Sequence, residues 1–453
     1  MAAGSDRIDL TTGPIMKKLL MFAVPIVIGN VLQQLYTTVD TLVIGRFSDT
    51  QSLAAIGTSA QPIEVFLCLF IGMGTGVSIL VSQTTGAGDA RSLRDICRTT
   101  VSFVYACGIP LMILAYITAP ALLSAMGVPP DAMSSATLYT RVVMWGSLGN
   151  VGYNMNAGIL RGLGDSRSTL KFLALSCGVN IVLDLILVAG FGMGVMGAAV
   201  ATSVSVYISW FFSIAYIKSR FGDIGFSILP AGYDLFQLKR MLYLGLPIGF
   251  NNSLYSFGHV VMQSMVNAQG ANFMAGVALG SRIMGVGNIA VNSLSSSTTT
   301  FAGQNYGAGR YDRLKMGYIK IPVISGLLTL APGLLVILVK TPLLSAFTSD
   351  AGALVYAERY VTVLALSQWI FAVFNGIICF ANGIGEVKYP TVVNILMLWA
   401  VRLPAAYLIS RLFDGTYIML SFPISFTFGL VAMTGFYLFN RRWKSIGDRL
   451  SPV

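Results

Sequence analysis

The chain has 453 residues, of which 55% are hydrophobic and only 10% charged, and its mean hydropathy is +0.74. A soluble fold of this length needs far more charged surface, so the composition excludes one and predicts a polytopic membrane protein. The net charge of +11 raises nucleic-acid binding as a rival, but the basic residues are dispersed over short segments between apolar runs and form no continuous stripe, which excludes it.

Residues 1–18 form a polar N-terminal segment that ends in Lys17-Lys18, and the apolar run behind it is too long for a cleaved signal, so the first helix is predicted to be retained. A spanning helix needs about 20 apolar residues. Six runs of that size follow at 19–46, 53–84, 97–117, 133–160, 169–190 and 196–217, making an N-lobe over 19–217. The longest polar interruption, 218–240, contains Pro230, Gly232 and Asp234 and is predicted to be the linker between two bundles. Six further runs at 241–268, 273–304, 317–339, 352–380, 389–410 and 417–440 make a C-lobe over 241–440, and a basic tail closes the chain at 441–453. Arg and Lys cluster at the N-terminus, in the even-numbered loops (Arg91/Arg94/Arg98, Arg161/Arg167/Lys171, Arg310/Arg313/Lys315) and in the tail, which predicts that both termini and the linker are cytoplasmic.

The halves repeat each other. Gln83-Thr84-Thr85-Gly86-Ala87-Gly88 returns 221 residues later as Gln304-Asn305-Tyr306-Gly307-Ala308-Gly309, and Gly162-Leu163-Gly164-Asp165 returns at the same offset as Gly383-Ile384-Gly385-Glu386. Pro25 maps onto Pro247 with one extra residue. An even number of spans per half makes both halves cross in the same sense. The predicted fold class is therefore all-α and polytopic, with twelve transmembrane helices in two six-helix lobes related by a pseudo-two-fold axis along the membrane normal. Pro25 and Pro247 each remove a backbone hydrogen bond inside a span and are predicted to bend helices 1 and 7.

Charges inside the bilayer carry the functional signal, because each costs roughly 2.5–3.5 kcal/mol on insertion scales. Three acids fall deep in spans: Asp40 in helix 1, Glu64 in helix 2 and Asp184 in helix 5. All three are in the first half, and Met262 stands where the repeat would put an equivalent of Asp40. Asn180 lies one helical turn before Asp184 on the same face. The small residues Gly197 to Ala201, followed by Thr202, permit close approach of helix 6. If helices 1, 5 and 6 converge, Asp40, Asn180, Asp184 and Thr202 form a set of hard oxygen donors suited to Na⁺, and the two carboxylates are equally suited to H⁺. The purely structural reading is that these groups glue the helices together.

The remaining polar groups in spans suggest a substrate cavity drawn from Gln33, Tyr36, Gln61, Glu64, Asn154, Asn156, Tyr255, His259, Met262, Arg282 and Met284. The methionines would supply an adaptable apolar wall. Each has a bland counterpart: interhelical hydrogen bonding for the amides, packing for His259 and the methionines, solvation near the interface for Glu64, and snorkelling for Arg282 and for Arg402 beside Pro404. The five cysteines have no paired spacing, which predicts neither a disulfide nor a metal site.

From Leu19 to Gly45 (Pro25, Gln33-Gln34, Tyr36, Asp40), through the paired Gly-Ala-Gly turns and Arg161 to Asp165, to Asn180, Asp184 and Gly197 to Thr202, the chain resembles the multidrug and toxic compound extrusion (MATE) transporters of prokaryotes. The resemblance runs from about residue 10 to 445. It implies two lobes facing a central cleft, and export of lipophilic, often cationic compounds coupled to inward Na⁺ or H⁺ bound at Asp40, Asn180, Asp184 and Thr202. Acids that some members carry in the second lobe are absent here. The expected setting is a bacterial or archaeal cytoplasmic membrane, with a monomer surrounded by lipid, small organic substrates and no cofactor. No phosphate-binding loop is present, so ATP is not the expected energy source. A membrane-embedded enzyme is disfavoured, because no His cluster or nucleophile–base spacing occurs. The alternative that stays open is a flippase or exporter of a lipid-linked or other amphiphilic metabolite on the same architecture.

Overall fold

The structure is a computed structural model. It describes residues 7–47, 50–125, 128, 130–348 and 350–439, with the backbone alone at 50–62, 64–66, 125, 131, 132, 223 and 439. The described residues are almost wholly helical and contain no strand.

Twelve long helical runs follow one another in the described residues, one for each expected span. They are α1 (Ile15–Phe47), α2 (Thr50–Ala87), α3 (Ala90–Ala125), α4 (Pro130–Gly162), α5 (Ser166–Gly190) and α6 (Gly194–Arg220), then α7 (Leu235–Asn267), α8 (Ala271–Gly307), α9 (Tyr311–Leu338), α10 (Ala351–Gly383), α11 (Lys388–Leu412) and α12 (Gly415–Phe439). Most extend past one bilayer thickness, since 33 residues, the length of α1, α4, α7 and α10, rise about 50 Å. Ten runs are apolar enough to cross a membrane on length and composition alone; α4 and α7 fall short because they carry polar residues such as Asn150, Asn154, Asn156, Asn251 and Asn252. Pro25 and Pro247 lie inside α1 and α7, and both helices continue through them.

The chain divides into two compact units. Unit 1 comprises 1–9 and 24–253, and unit 2 comprises 10–23 and 254–453. The boundaries fall inside α1 and α7, not in the polar segment between α6 and α7. Local packing explains this. The first half of α7 lies directly on α2: a Cβ on Gly72 would collide with the Gly249 backbone nitrogen, so only paired glycines allow the two backbones to meet. In unit 2, the segment before α1 is held by Arg313, whose guanidinium donates to the carbonyls of Gly13 (2.7 Å), Leu10 (3.0 Å) and Thr12 (3.4 Å) and, through Nε, to Asn305 Oδ1 (3.0 Å).

The duplication read from sequence is physical. In unit 1 the main packing pair is α2 with α4, flanked by α3 and α6; in unit 2 it is α8 with α10, flanked by α9 and α12. A Cβ on Gly162 would lie 2.8 Å from the Ser78 carbonyl oxygen, and one on Gly383 would lie 2.5 Å from the Thr299 carbonyl oxygen, the same contact made twice at the repeat offset. The repeated turns carry left-handed backbone at matching positions. Gly88 (φ +69°) pairs with Gly309 (φ +66°) and Gly164 (φ +90°) with Gly385 (φ +96°), which is why glycine recurs there. Outside the spans, Asp89 caps the start of α3. Hydrogen bonds from the Ser92 side chain and from the backbone N–H groups of Ser92 and Arg91 hold its carboxyl below the usual range.

Candidate functional site

The acid cluster lies within unit 1. Val43 and Ile44 of α1 pack against Val188 of α5 and Ala198 of α6, with Val39 beside them, so the apolar side chains bring the three helices together one turn from Asp40. Small residues make this possible: Ala198, Ala199 and Ala201 of α6 are buried. Asp184 is the last residue before α5 loosens into a π-helical stretch, Leu185–Gly190. Such a stretch inserts a residue into the hydrogen-bond ladder and re-aims the side chains around it.

The Asp40 and Asp184 side chains are neighbours, Asp184 wholly buried and Asp40 partly buried. With its amide turned to satisfy both neighbours, Asn180 Nδ2 donates to Asp184 Oδ2 (3.0 Å) while its oxygen accepts from the Thr202 N–H (3.3 Å). Tyr36 of α1 and Tyr139 of α4 lie in the neighbourhood of the two acids. One oxygen of each acid, Asp40 Oδ1 and Asp184 Oδ1, is buried with no partner. A buried carboxylate oxygen left unsatisfied is costly. The four expected cation ligands are thus brought together. Tyr36, expected in the substrate cavity, lies beside this cluster, and Tyr139 is a neighbour without a spacing signal in the sequence, because a tyrosine in a predominantly apolar helix carries none.

The expected substrate-cavity residues divide between the two units. In unit 1, Gln33 is exposed and Asn154 Nδ2 donates to the Asn150 carbonyl (2.9 Å) and Oδ1 (2.8 Å). Asn156 is corrected to a packing residue: it is 3% exposed and donates to Ser213 Oγ at 2.8 Å, which joins α4 to α6. The side chains of Gln61 and Glu64 lie outside the described residues, as does the tail at 441–453.

Unit 2 contains a cavity of about 390 Å³, within the range of small-molecule sites. Its walls are helical stripes with a spacing of three and four residues. On α8 these are Phe273, Val277, Ser281, Met284, Asn288 and Asn292; on α7, Tyr255, His259, Met262, Gln263 and Val266; on α10, Tyr360, Leu364, Gln368 and Phe371. Ile418, Met419, Phe422 and Phe426 of α12 complete it. Tyr255, His259, Met262 and Met284 line this cavity. Arg282 does not line it and is exposed: two residues from Met284, it is turned some 200° about the helix axis and points away. The lining carries no carboxylate. Gln368 and Asn288 hydrogen-bond across the wall (2.5 Å), and His259 meets the Tyr255 ring edge-on at 5.0 Å.

Arg402 overturns its expected place. It is 1% exposed, at the end of a second π-helical stretch, Leu396–Arg402, and does not reach the membrane surface. Its Nε donates to Ser425 Oγ (3.0 Å) and Nη1 to the Tyr255 hydroxyl (3.2 Å). The guanidinium packs on the rings of Phe422, Phe426 and Tyr255, with centroids 4.7, 5.1 and 5.8 Å away. These three residues also line the cavity. The snorkelling expectation fails because aromatic faces and two hydroxyls solvate the cation internally.

Comparison with known proteins agrees with this architecture. The MatE family model matches residues 25–186 and 247–408, two stretches that begin at the equivalent helix prolines. The chain is 27% identical over 444 residues to the probable multidrug resistance protein YoeA of Bacillus subtilis, covering 95% of each chain. It is 26% identical over 461 residues to a protein named FAD transporter of Shewanella oneidensis, covering 96% of this chain and 97% of that one. Among solved structures, MATE in complex with MaD3S superposes with a TM-score of 0.89 at 23% identity, over 98% of this chain and 100% of the other. A MOP superfamily transporter from Pyrococcus furiosus gives a TM-score of 0.87 at 22% identity, again over 98% and 100%. With the matched stretches covering most of both halves, and the repeated helix pairs and turns that they span, this chain belongs to the MatE family of transporters.

Proposed function

We propose that this chain is a secondary active exporter of lipophilic, often cationic, organic compounds, driven by antiport against Na⁺ or H⁺, with the cation exchanged at Asp40, Asn180, Asp184 and Thr202. The observation that carries the reading is the pair of neighbouring acids, Asp184 wholly and Asp40 partly buried, each with one buried oxygen that has no hydrogen-bond partner. Two neighbouring carboxyl groups can hold one proton between them. When that proton leaves and no cation replaces it, two like charges at about 4 Å repel by roughly 4 kcal/mol at an effective dielectric of 20. An energy of that size shifts a two-state equilibrium about a thousandfold, which is what coupling requires: the ion must favour one conformation over the other. Asp40 rides on α1 and Asp184 on α5, so filling the site draws α1 onto α5 and emptying it releases α1. The names of the Bacillus relative and of Staphylococcus aureus multidrug export protein MepA support export of drugs. The basic flanks of the spans support a cytoplasmic membrane with both termini inside. One chain supplies both repeats, which supports a monomer, and the exporter needs no cofactor or ATP.

The test is dye efflux from reconstituted vesicles with pH and Na⁺ gradients imposed separately. Efflux should follow one of the two and fall to background in Asp40→Asn and Asp184→Asn. Wild-type efflux in both variants would remove the proposal. A second reading, export of an amphiphilic metabolite, is favoured by the buried Arg402 beside the unit 2 cavity and by the relative named as a FAD transporter. Transport of flavin nucleotides in the same vesicles distinguishes it.

A further inference from the structure

The unit 2 cavity has a polarity opposite to that of the acid cluster. Among the described residues no carboxylate pairs with Arg402, and its Nη2 is buried with no hydrogen-bond partner. The cation is therefore uncompensated inside a wall of aromatic rings, where its field is weakly screened. It reaches the cavity through Tyr255. Because Arg402 Nη1 donates to the Tyr255 oxygen, that oxygen serves as an acceptor, and the hydroxyl hydrogen is left to donate to another group; Tyr255 lines the cavity. A hydroxyl polarised by a guanidinium is a strengthened donor, suited to an anion. Asn288 adds to this, since its oxygen is occupied by Gln368 and its amide hydrogens remain available. The same wall offers the faces and edges of Phe422, Phe426 and Tyr360 to a planar ring.

We propose that this cavity binds an aromatic compound bearing an anionic group (carboxylate, sulfonate or phosphate), with the anion seated on the Tyr255 hydroxyl above Arg402 and the ring held between the aromatic side chains. It rests on the reading of the chain as an exporter of organic compounds and narrows the substrate class from the cations expected of such a protein to anions. A cationic ligand in the same place would face a buried like charge and no counter-charge, a penalty of roughly tenfold or more in affinity.

The experiment is equilibrium binding of carboxyfluorescein and of ethidium to the purified full-length protein in detergent, with no ion gradient. Carboxyfluorescein should bind the wild type. Arg402→Gln should weaken it roughly ten- to a hundredfold, and Tyr255→Phe roughly tenfold, because each removes a hydrogen bond to or beneath a charge. Ethidium affinity should stay level or rise in Arg402→Gln. Tyr255→Phe keeps the ring and the buried arginine, so it reads the site even where Arg402→Gln folds poorly. A wild type that prefers ethidium, or carboxyfluorescein affinity unchanged in both variants, would overturn the assignment. Gradient-driven efflux, measured separately, keeps the two readings apart. Arg402-dependent binding without coupled efflux sinks the antiport and spares the site. Coupled ethidium efflux at wild-type rate in Arg402→Gln, with no carboxyfluorescein binding, does the reverse.

Discussion

The two units are built from one helical plan and spend their buried charge in opposite ways. Unit 1 sinks two carboxylates where α1, α5 and α6 converge and leaves an oxygen of each unsatisfied. Unit 2 holds Met262 at the position equivalent to Asp40, lining a cavity, and its deeply buried charge is an arginine on α11. Each charge flanks a π-helical stretch, Asp184 before one and Arg402 at the end of the other. The duplicated scaffold thus carries packing, while the chemistry was installed separately in each copy.

The contrast between the units is tested most severely at the acids. Replacing Asp184 by Asn should reduce gradient-driven efflux to background with the protein still in the membrane, whereas Met262→Leu in the equivalent region of unit 2 should leave ion coupling intact; vesicle assays of both variants read this. Packing is the next largest effect. Gly72→Val should lower stability by about 1–3 kcal/mol, because its Cβ alone would overlap the Gly249 backbone. Gly178→Ala, where a Cβ meets nothing within 4 Å, should instead raise stability by about 0.5–1 kcal/mol. Thermal unfolding in detergent checks both. Arg313→Ala should free the segment before α1 from unit 2, at a cost of about 1.5–3 kcal/mol, and make residues 7–14 sensitive to limited proteolysis.

Two smaller effects concern single charged groups. Arg402→Met should change the unfolding midpoint little, because the cation it removes has no carboxylate partner to strand. Asp89 has a depressed folded-state pKa, so its capping contribution is fully present above the ordinary value of 3.8 and lost as pH falls through the lower folded value. Wild type should therefore lose that increment below about pH 4, and Asp89→Ala, which lacks it at every pH, should not. Comparing the two pH profiles measures it.

Much of this architecture is legible in the order of the residues. The 221-residue offset anticipates both the matching turns and the twice-made glycine contact, since a left-handed turn or a backbone touching a backbone tolerates little but glycine. The acids in spans are legible because burying a charge in a bilayer is too costly to be incidental. Arg402 is not, for a residue near Pro404 at the end of an apolar run has the same signature whether it snorkels or turns inward. The packing role of Asn156 is not legible for a related reason: polarity in a span marks a polar neighbour but not its identity. The cavity stripe Phe273, Val277, Ser281, Met284, Asn288, Asn292 has a readable periodicity, and it would have put Arg282 on the other face.

The amino-acid order alone determined the class, the twelve helical runs, the duplication and the acids placed within the spans, because those follow from hydropathy, periodicity and the cost of burying charge. Tertiary structure alone decided which helices share a pocket, that Arg402 is solvated by rings instead of headgroups, and that the packing units are cut inside α1 and α7. Those outcomes depend on contacts between residues far apart in the chain, and such contacts leave no local trace in it.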